Sequence, residues 1–187
     1  GAIIIILIIT ILAIILLPNK TNINLTKTYE KLLASEENTI NTFTYNEETK
    51  KLETTSPLPR NTKVKTTMKD KITKDQTNYI KVKYDGKEYY INEDNLVNNE
   101  KEVVKEKERY VRTSVTIYTQ KDDYKITSFA KKGSKLDVVG FDEIKKDGTV
   151  NKYKIKYEGT EGWVYSKYLV STSEKASENY NENNVYD

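Results

Sequence analysis

The side chains in this sequence with chemistry to offer are tyrosines, carboxylates, lysines and a single tryptophan. Cysteine and histidine are absent from its 187 residues. That removes disulfides, thiolate–imidazole metal sites, cysteine nucleophiles and the His base of a Ser-His-Asp arrangement. The 28 acidic residues leave acid–base catalysis open by composition. The candidates Asp122, Asp123, Asp142 and Glu143 fall in expected loops with no catalytic frame around them. Seven glycines in all make no phosphate-cradling loop. No catalysis, metal or cofactor is therefore expected within these residues.

Tyrosine is the more informative type, with fifteen copies against three Phe. It places an apolar ring with a polar tip at a wet boundary. Tyr118, Tyr124, Tyr165 and Tyr168 would together line a shallow groove. The simpler reading, and the preferred one, is that Tyr replaces Phe at half-buried positions. Trp163 offers an aromatic face for a sugar ring or peptide stem. The alternative is that it caps a small core, and its place on a strand after a turn favours the core. Lys154 and Lys156 would meet anionic polymers, but alternating Lys is more simply a solvated strand face that discourages edge pairing.

The elements that must position these residues repeat. Residues 78–97 and 151–170 are similar, with Tyr84, Gly86, Glu88, Leu96 and Val97 matched by Tyr157, Gly159, Glu161, Leu169 and Val170. In each copy apolar and Lys residues alternate: Ile80, Val82 and Tyr84, then Tyr153, Ile155 and Tyr157. Period two with aromatic and β-branched residues predicts a strand with one buried face. Asp85-Gly86 and Glu158-Gly159 predict tight hairpin turns, with Gly taking positive φ. Residues 89–91 and 163–165 form the returning strands. Residues 62–67 and 134–140, and residues 39–45 and 111–118, supply further strands, which predicts a small barrel in each copy.

Val115, Thr116, Ile117 and Tyr118, then Phe129, Gly133, Ser134 and Leu136, then Tyr153, Tyr157 and Gly159, carry a resemblance. Its strongest piece is Gly162, Trp163, Val164, Tyr165, Tyr168 and Leu169. In order and spacing these resemble a bacterial SH3-like (SH3b) domain over residues 109–170. One departure is the loop at residues 119–123, where the family often has Gly and Pro. Residues 38–98 are similar to a degenerate copy, with Tyr89, Tyr90 and Ile91 in place of the Gly-Trp-Val pattern. The resemblance implies a mainly β fold, two small SH3-like barrels in tandem. It also implies binding of cell-wall peptidoglycan or peptide through Tyr118, Tyr124, Trp163, Tyr165 and Tyr168. A structural or sensory ectodomain that binds a protein partner is the alternative.

Residues 2–17 are apolar except for Thr10 and carry no charge. As a helix they would span about 25 Å at about 1.5 Å per residue. The run is long for a signal-peptide core and Leu16, Leu17, Pro18 and Asn19 are no cleavage site, so an uncleaved transmembrane anchor over residues 1–18 is expected. The soluble part would then be extracytoplasmic on a single-pass membrane protein. Residues 19–37 read as a juxtamembrane spacer, with a short amphipathic helix through Leu25, Tyr29, Leu32 and Leu33 as the other reading. Residues 99–108 read as a charged linker, either solvated or briefly helical. Residues 171–187 read as a disordered linker. This layout resembles the front half of membrane-anchored glycoside hydrolase-like proteins of Firmicutes, with a catalytic domain expected after Asp187.

The formal charge is +3, from 31 basic and 28 acidic residues, which gives no strong field for nucleic acid. Among the basic residues, only Arg60, Arg109 and Arg112 are arginine.

Overall fold

The structure is a computed structural model that describes residues 27–122 and 125–178. Residues 2–17, the expected anchor, lie outside the described residues, as do Asp123 and Tyr124. Among the described residues no helix is long and apolar enough to cross a membrane.

The fold is mainly β. The first unit contains β1 (Tyr29–Leu33), β2 (Thr39–Ile40), β3 (Phe43–Asn46), β4 (Lys51–Thr54), β5 (Leu58–Pro59), β6 (Lys63–Thr66), β7 (Lys71–Lys74), β8 (Thr77–Tyr84), β9 (Lys87–Asn92) and β10 (Leu96–Val97). The second contains β11 (Glu108–Val111), β12 (Val115–Tyr118), β13 (Ile126–Ala130), β14 (Lys135–Phe141), β15 (Lys152–Tyr157), β16 (Thr160–Tyr165) and β17 (Leu169–Val170), followed by helix α1 (Ser173–Ser177).

The duplication read from sequence is visible in the topology. The first sheet runs β10-β1-β6-β8-β9-β3-β4, with β7 added beside β8, and the second runs β17-β11-β14-β15-β16-β12-β13. The two orders are the same when β1 is matched to β11, β8 to β15 and β9 to β16. Alternation does what the sequence predicts: Ile80 and Val82 are fully buried on β8, as are Tyr153 and Ile155 on β15. The hairpin turns take left-handed φ at Asp85 and Gly86 (47° and 73°) and at Glu158 and Gly159 (48° and 78°). Consecutive positive φ values match the right-handed twist of the flanking strands. Equivalent positions form the two cores: Leu33, Val64, Val82 and Ile91 in the first, Val111, Leu136, Ile155 and Val164 in the second.

Four expectations are corrected. The sheets do not close into barrels. Closure would require the terminal strands to pair, and in each sheet they remain at opposite ends of the order. The spacer reading of residues 19–37 gives way to a strand at Tyr29–Leu33, with Leu33 buried between β6 and β10. Its helix-like apolar spacing is overridden by sheet pairing on both sides. The solvated or helical linker at residues 99–108 is a 3-10 turn at Glu100–Glu102 followed by a packed strap. Val103 is fully buried there, and Val104 makes a parallel bridge to Ser35. Residues 173–177, expected to be disordered, form α1. Thr172 caps it by accepting from Lys175 N at 3.3 Å, and Ala176 is buried.

The two units meet around a buried charge cluster. Glu106 Oε1 accepts from Arg60 Nη1 at 2.6 Å, from the Tyr153 hydroxyl at 2.7 Å, and from Arg109 Nη2. Arg60 comes from the first unit, Tyr153 and Arg109 from the second, and Glu106 from the strap. Arg60 Nε also donates to Gly148 O at 2.6 Å, and Arg60 Nη2 to Asn38 Oδ1 at 3.2 Å. Gly148 has φ of +85°, and a Cβ there would overlap Asn38 O and sit 3.0 Å from Arg60 N. No residue with a side chain fits that approach of the two units.

Burial opposes the charge on Arg109, but the Tyr153 oxygen and the Glu106 carboxylate outweigh it and hold the guanidinium above its ordinary pKa. Burial likewise raises the Tyr153 hydroxyl, with Glu106 adding to the rise and Arg109 opposing it. Both groups thus keep their protons and can donate to Glu106.

Two outcomes are expected. Glu106→Ala leaves two buried guanidiniums without their carboxylate and should destabilise the chain by about 3–5 kcal/mol, measured by urea unfolding. Tyr153 has a folded pKa above its unfolded one, so its contribution is present at neutral pH. It is lost as pH rises past the ordinary phenol range of about 10. Tyr153→Phe should therefore flatten the fall in melting temperature across that alkaline range; an unchanged slope would refute the assignment.

Candidate functional site

Alternation along β16 decides what its side chains face. Gly162 and Val164 point into the sheet's core, so Trp163 and Tyr165 point away from it. Trp163 is half-buried and stands opposite Tyr118 on β12 and Lys154 on β15. The expected core cap is thus corrected: Val164 fills that position, because its partner on β15 is the inward-facing Tyr153.

Tyr118, Tyr165 and Tyr168 come together on one groove of about 470 Å³. Tyr118 ends β12, Tyr165 ends β16, and Tyr168 closes the 3-10 turn Ser166–Tyr168. Thr113, Ser114, Val115 and Thr116 complete the lining. The Tyr118 and Tyr165 rings meet edge to face, with centroids 6.5 Å apart and planes at 85°. Lys152 Nζ lies 4.6 Å from the Tyr165 ring centre, and Lys167 Nζ lies 4.8 Å from that of Tyr168. All three tyrosines are half-buried. The groove therefore offers aromatic faces and hydroxyl-bearing rings, with the two ammonium groups beside its tyrosines and not in its lining, which suits a sugar or peptide with polar edges. Trp163 is not among its lining residues, and Tyr124 lies outside the described residues.

The equivalent face of the first unit carries other side chains: Phe43 meets Tyr79 and Tyr45 meets Tyr90 edge to face, with Lys81 Nζ 5.8 Å from the Tyr90 ring centre. Phe43 pairs with Tyr90 where Tyr118 pairs with Trp163. Asn92 stands opposite Tyr79 where Tyr165 stands opposite Lys152. Asn95 ends the 3-10 turn that Tyr168 ends in the second unit. Asn92 is occupied as a cap, accepting from Asp94 N at 3.0 Å. The repeated strands thus carry different side chains at the equivalent place.

Several lysines on the paired strands are matched by carboxylates across the hairpin. Lys154 pairs with Glu161 at 2.8 Å, and Lys81 and Lys83 approach Glu88 at 3.6 and 3.3 Å at the equivalent point of the first sheet. Asp142 is committed to Lys152 N at 2.7 Å and Asn151 Nδ2 at 3.2 Å, while Asp122 and Glu143 are exposed. None of these forms an acid–base pair. Among the described residues no group of His, Cys, Asp and Glu is placed to hold a metal.

Beside the groove, and sharing Tyr165 with it, a cleft of about 580 Å³ opens between the units. Arg109, Arg112, Lys145 and Lys167 line it from the second unit, Glu37 and Asn38 from the first. Sequence reasoning missed this cleft. The signal was the rarity of arginine: Arg60, Arg109 and Arg112 all sit at this junction. A planar, permanently charged fork suits buried carboxylate pairing where a flexible ammonium does not.

No family model matches the chain, and no curated protein matches it. Among solved structures it is similar to NlpC2 from Trichomonas vaginalis, at 13% identity over 79% of this chain and 49% of that one, with a TM-score of 0.29. It is also similar to NlpC1 from the same organism, at 14% identity over 76% of this chain and 45% of that one, with a TM-score of 0.28. The chain thus spans about half the length of these structures or less. Likeness at these scores establishes neither a common fold nor a function.

Gly162 sets the groove's width. A Cβ there would overlap Ile117 Cγ2 and lie 2.7 Å from Tyr118 O, so β12 would have to move away and carry Tyr118 with it. Gly162→Ala should destabilise the chain by about 1–3 kcal/mol and shift the emission of Trp163, the only tryptophan. An unaltered melting temperature and emission spectrum would show that the approach is not tight.

Proposed function

We propose that this chain is a membrane-anchored, extracytoplasmic binding module with SH3-like units, whose second unit recognises cell-wall peptidoglycan or its peptide. The first unit acts as a spacer, and the module positions a wall-acting catalytic domain as in the layout its sequence resembles. The observation that carries this reading is the meeting of Tyr118, Tyr165 and Tyr168 on one groove, with Phe43, Asn92 and Asn95 at the equivalent places of the first unit. Rings with wet hydroxyl tips suit ligands whose faces are apolar and whose edges carry hydroxyls or amides. The uncharged run at residues 2–17 supports the anchor.

A second reading, an ectodomain that binds a protein partner, is favoured by β13. It is the terminal strand of its sheet and exposes Ile126 (52%) and Phe129 (65%). Exposed apolar side chains on an open sheet edge suit addition of an extended strand.

Co-sedimentation of the detergent-solubilised chain with purified sacculi separates the two. Retention of the wild type is expected, with a fall of about tenfold in affinity for Tyr118→Ala, an aromatic contact of about 1–2 kcal/mol, and no change for Asn95→Ala. A folded chain that sacculi do not retain would replace the wall reading with the protein-partner one.

A further inference from the structure

We propose that the cleft between the two units is a binding site for an oxyanion, a carboxylate or a phosphate group, continuous at Tyr165 with the tyrosine groove. Three observations lead to it.

The first is the lining. Arg109, Arg112, Lys145 and Lys167 line the cleft together with two carboxylates, those of Glu37 and Asp147. Asp147 is already used: its carboxylate accepts from Thr149 N at 2.9 Å, and that hydrogen bond lowers its pKa. It shapes the turn that carries Lys145, where Gly148 N donates to Lys145 O at 2.9 Å and Lys145 N to Thr149 O at 2.8 Å. The turn thus presents Lys145 from a fixed backbone, and the lining keeps a positive excess.

The second is the charge buried beneath the cleft. Arg60 and Arg109 share one carboxylate, that of Glu106, with side-chain exposures of 0%, 10% and 4% respectively. Each guanidinium carries a full positive charge. One buried positive charge is therefore left over, and a buried charge without a counter-ion is expensive. Arg109 is the member of the cluster that opens on the cleft. Its Nη2 donates to Glu106, to Glu36 O and to the Tyr153 hydroxyl, whereas its Nε has no hydrogen-bond partner among the described residues. Nε itself is closed off from solvent, so an oxyanion seated in the cleft lies beside this guanidinium and balances the excess charge.

The third is continuity. Tyr165 lines both the groove and the cleft. A volume of about 580 Å³ accommodates a group well beyond a bare ion. A ligand that lays its uncharged part on Tyr118 and Tyr168 would therefore carry its anionic part past Tyr165 to Arg109 and Lys145. This link to the groove rests on the proposed function; the anion site itself does not.

The test uses the full chain, with inorganic phosphate and acetate as probes at low salt, followed by backbone NMR. Saturable shifts are expected at Gly148, Thr149 and Asn151. Lys145→Glu combined with Lys167→Glu alters two exposed side chains and should weaken both probes by about tenfold while leaving the circular dichroism spectrum unchanged. Shifts that grow linearly with probe concentration, or that are equal in the double variant, overturn the site. Two further ligands separate the sources. Tighter binding of a muropeptide than of its amidated form supports a stem carboxylate, and tighter binding of polyglycerol phosphate than of glycerol supports a phosphodiester. Equal binding of charged and uncharged forms in both pairs overturns the assignment. Tyr118 lines the groove and not the cleft, so in Tyr118→Ala loss of sacculus retention with intact phosphate shifts supports both sites. Absent retention in the wild type with intact phosphate shifts sinks only the wall reading, and retention without phosphate shifts sinks only the cleft.

Discussion

The arrangement of this molecule depends on one carboxylate. Glu106 collects Arg60 from the first unit and Arg109 and Tyr153 from the second, all on a single oxygen. Buried ion pairs of this kind contribute little net stability, because desolvation offsets most of the attraction. Their value here is register. Two apolar faces could slide against one another, but a fork of donors converging on one oxygen has one arrangement. Gly148 adds the steric half of the same constraint: its missing Cβ lets the turn of the second unit reach Asn38 of the first. The charged strap that sequence composition presents as a solvated spacer is therefore the part that fixes the units to each other.

Comparing the two halves of the chain shows where each departs from the shared plan. Strand order, hairpin turns, the inward aliphatic positions and the cross-strand Lys–Glu pairs repeat. These are what an antiparallel sheet of this size requires, and they tell nothing about function. Besides the added β7 and the β2–β5 pair of the first unit, two departures shape surfaces of the second. Ile80 is matched by Tyr153, and Lys31, which donates to Asn98 at 2.7 Å, is matched by Arg109, so the second sheet gains the polar groups of the junction. Asn92 and Asn95 are matched by Tyr165 and Tyr168, so the second sheet also gains the groove. A duplicated scaffold keeps its core and varies its surface, and here the groove and the junction lie on two adjoining faces of the second unit.

The hairpins were legible because two local signals agreed: period-two alternation and a turn pair ending in Gly. Neither signal needs a distant partner. The strand at Tyr29–Leu33 was not legible, since Leu25, Tyr29, Leu32 and Leu33 carry helical spacing and only the neighbouring strands β6 and β10 impose the extended form. Barrel closure was likewise out of reach, because it depends on where terminal strands end and not on their composition. Of the aromatic residues, Tyr118, Tyr165 and Tyr168 line one groove, and all three are half-buried, as Tyr in place of Phe would also be. Trp163 was placed on the wrong face, although the pairing of Tyr153 with Val164 fixes the phase of β16 once the hairpin register is known. The anchor and Tyr124 lie outside the described residues.

Groove and cleft differ in what they need from the rest of the chain. The groove belongs to one sheet: β12, β16 and the turn after it hold every tyrosine that lines it. The cleft has walls from both sheets and exists only while they are docked. Anything that loosens Glu106 from its partners therefore removes the cleft and leaves the groove in place. Conversely, an anion bound against Arg109 would add a charge of the same sign as Glu106 on the other side of that guanidinium, and would strengthen the docking that creates its own site. By linkage, a ligand that needs both faces binds best to the docked form and stabilises it in turn.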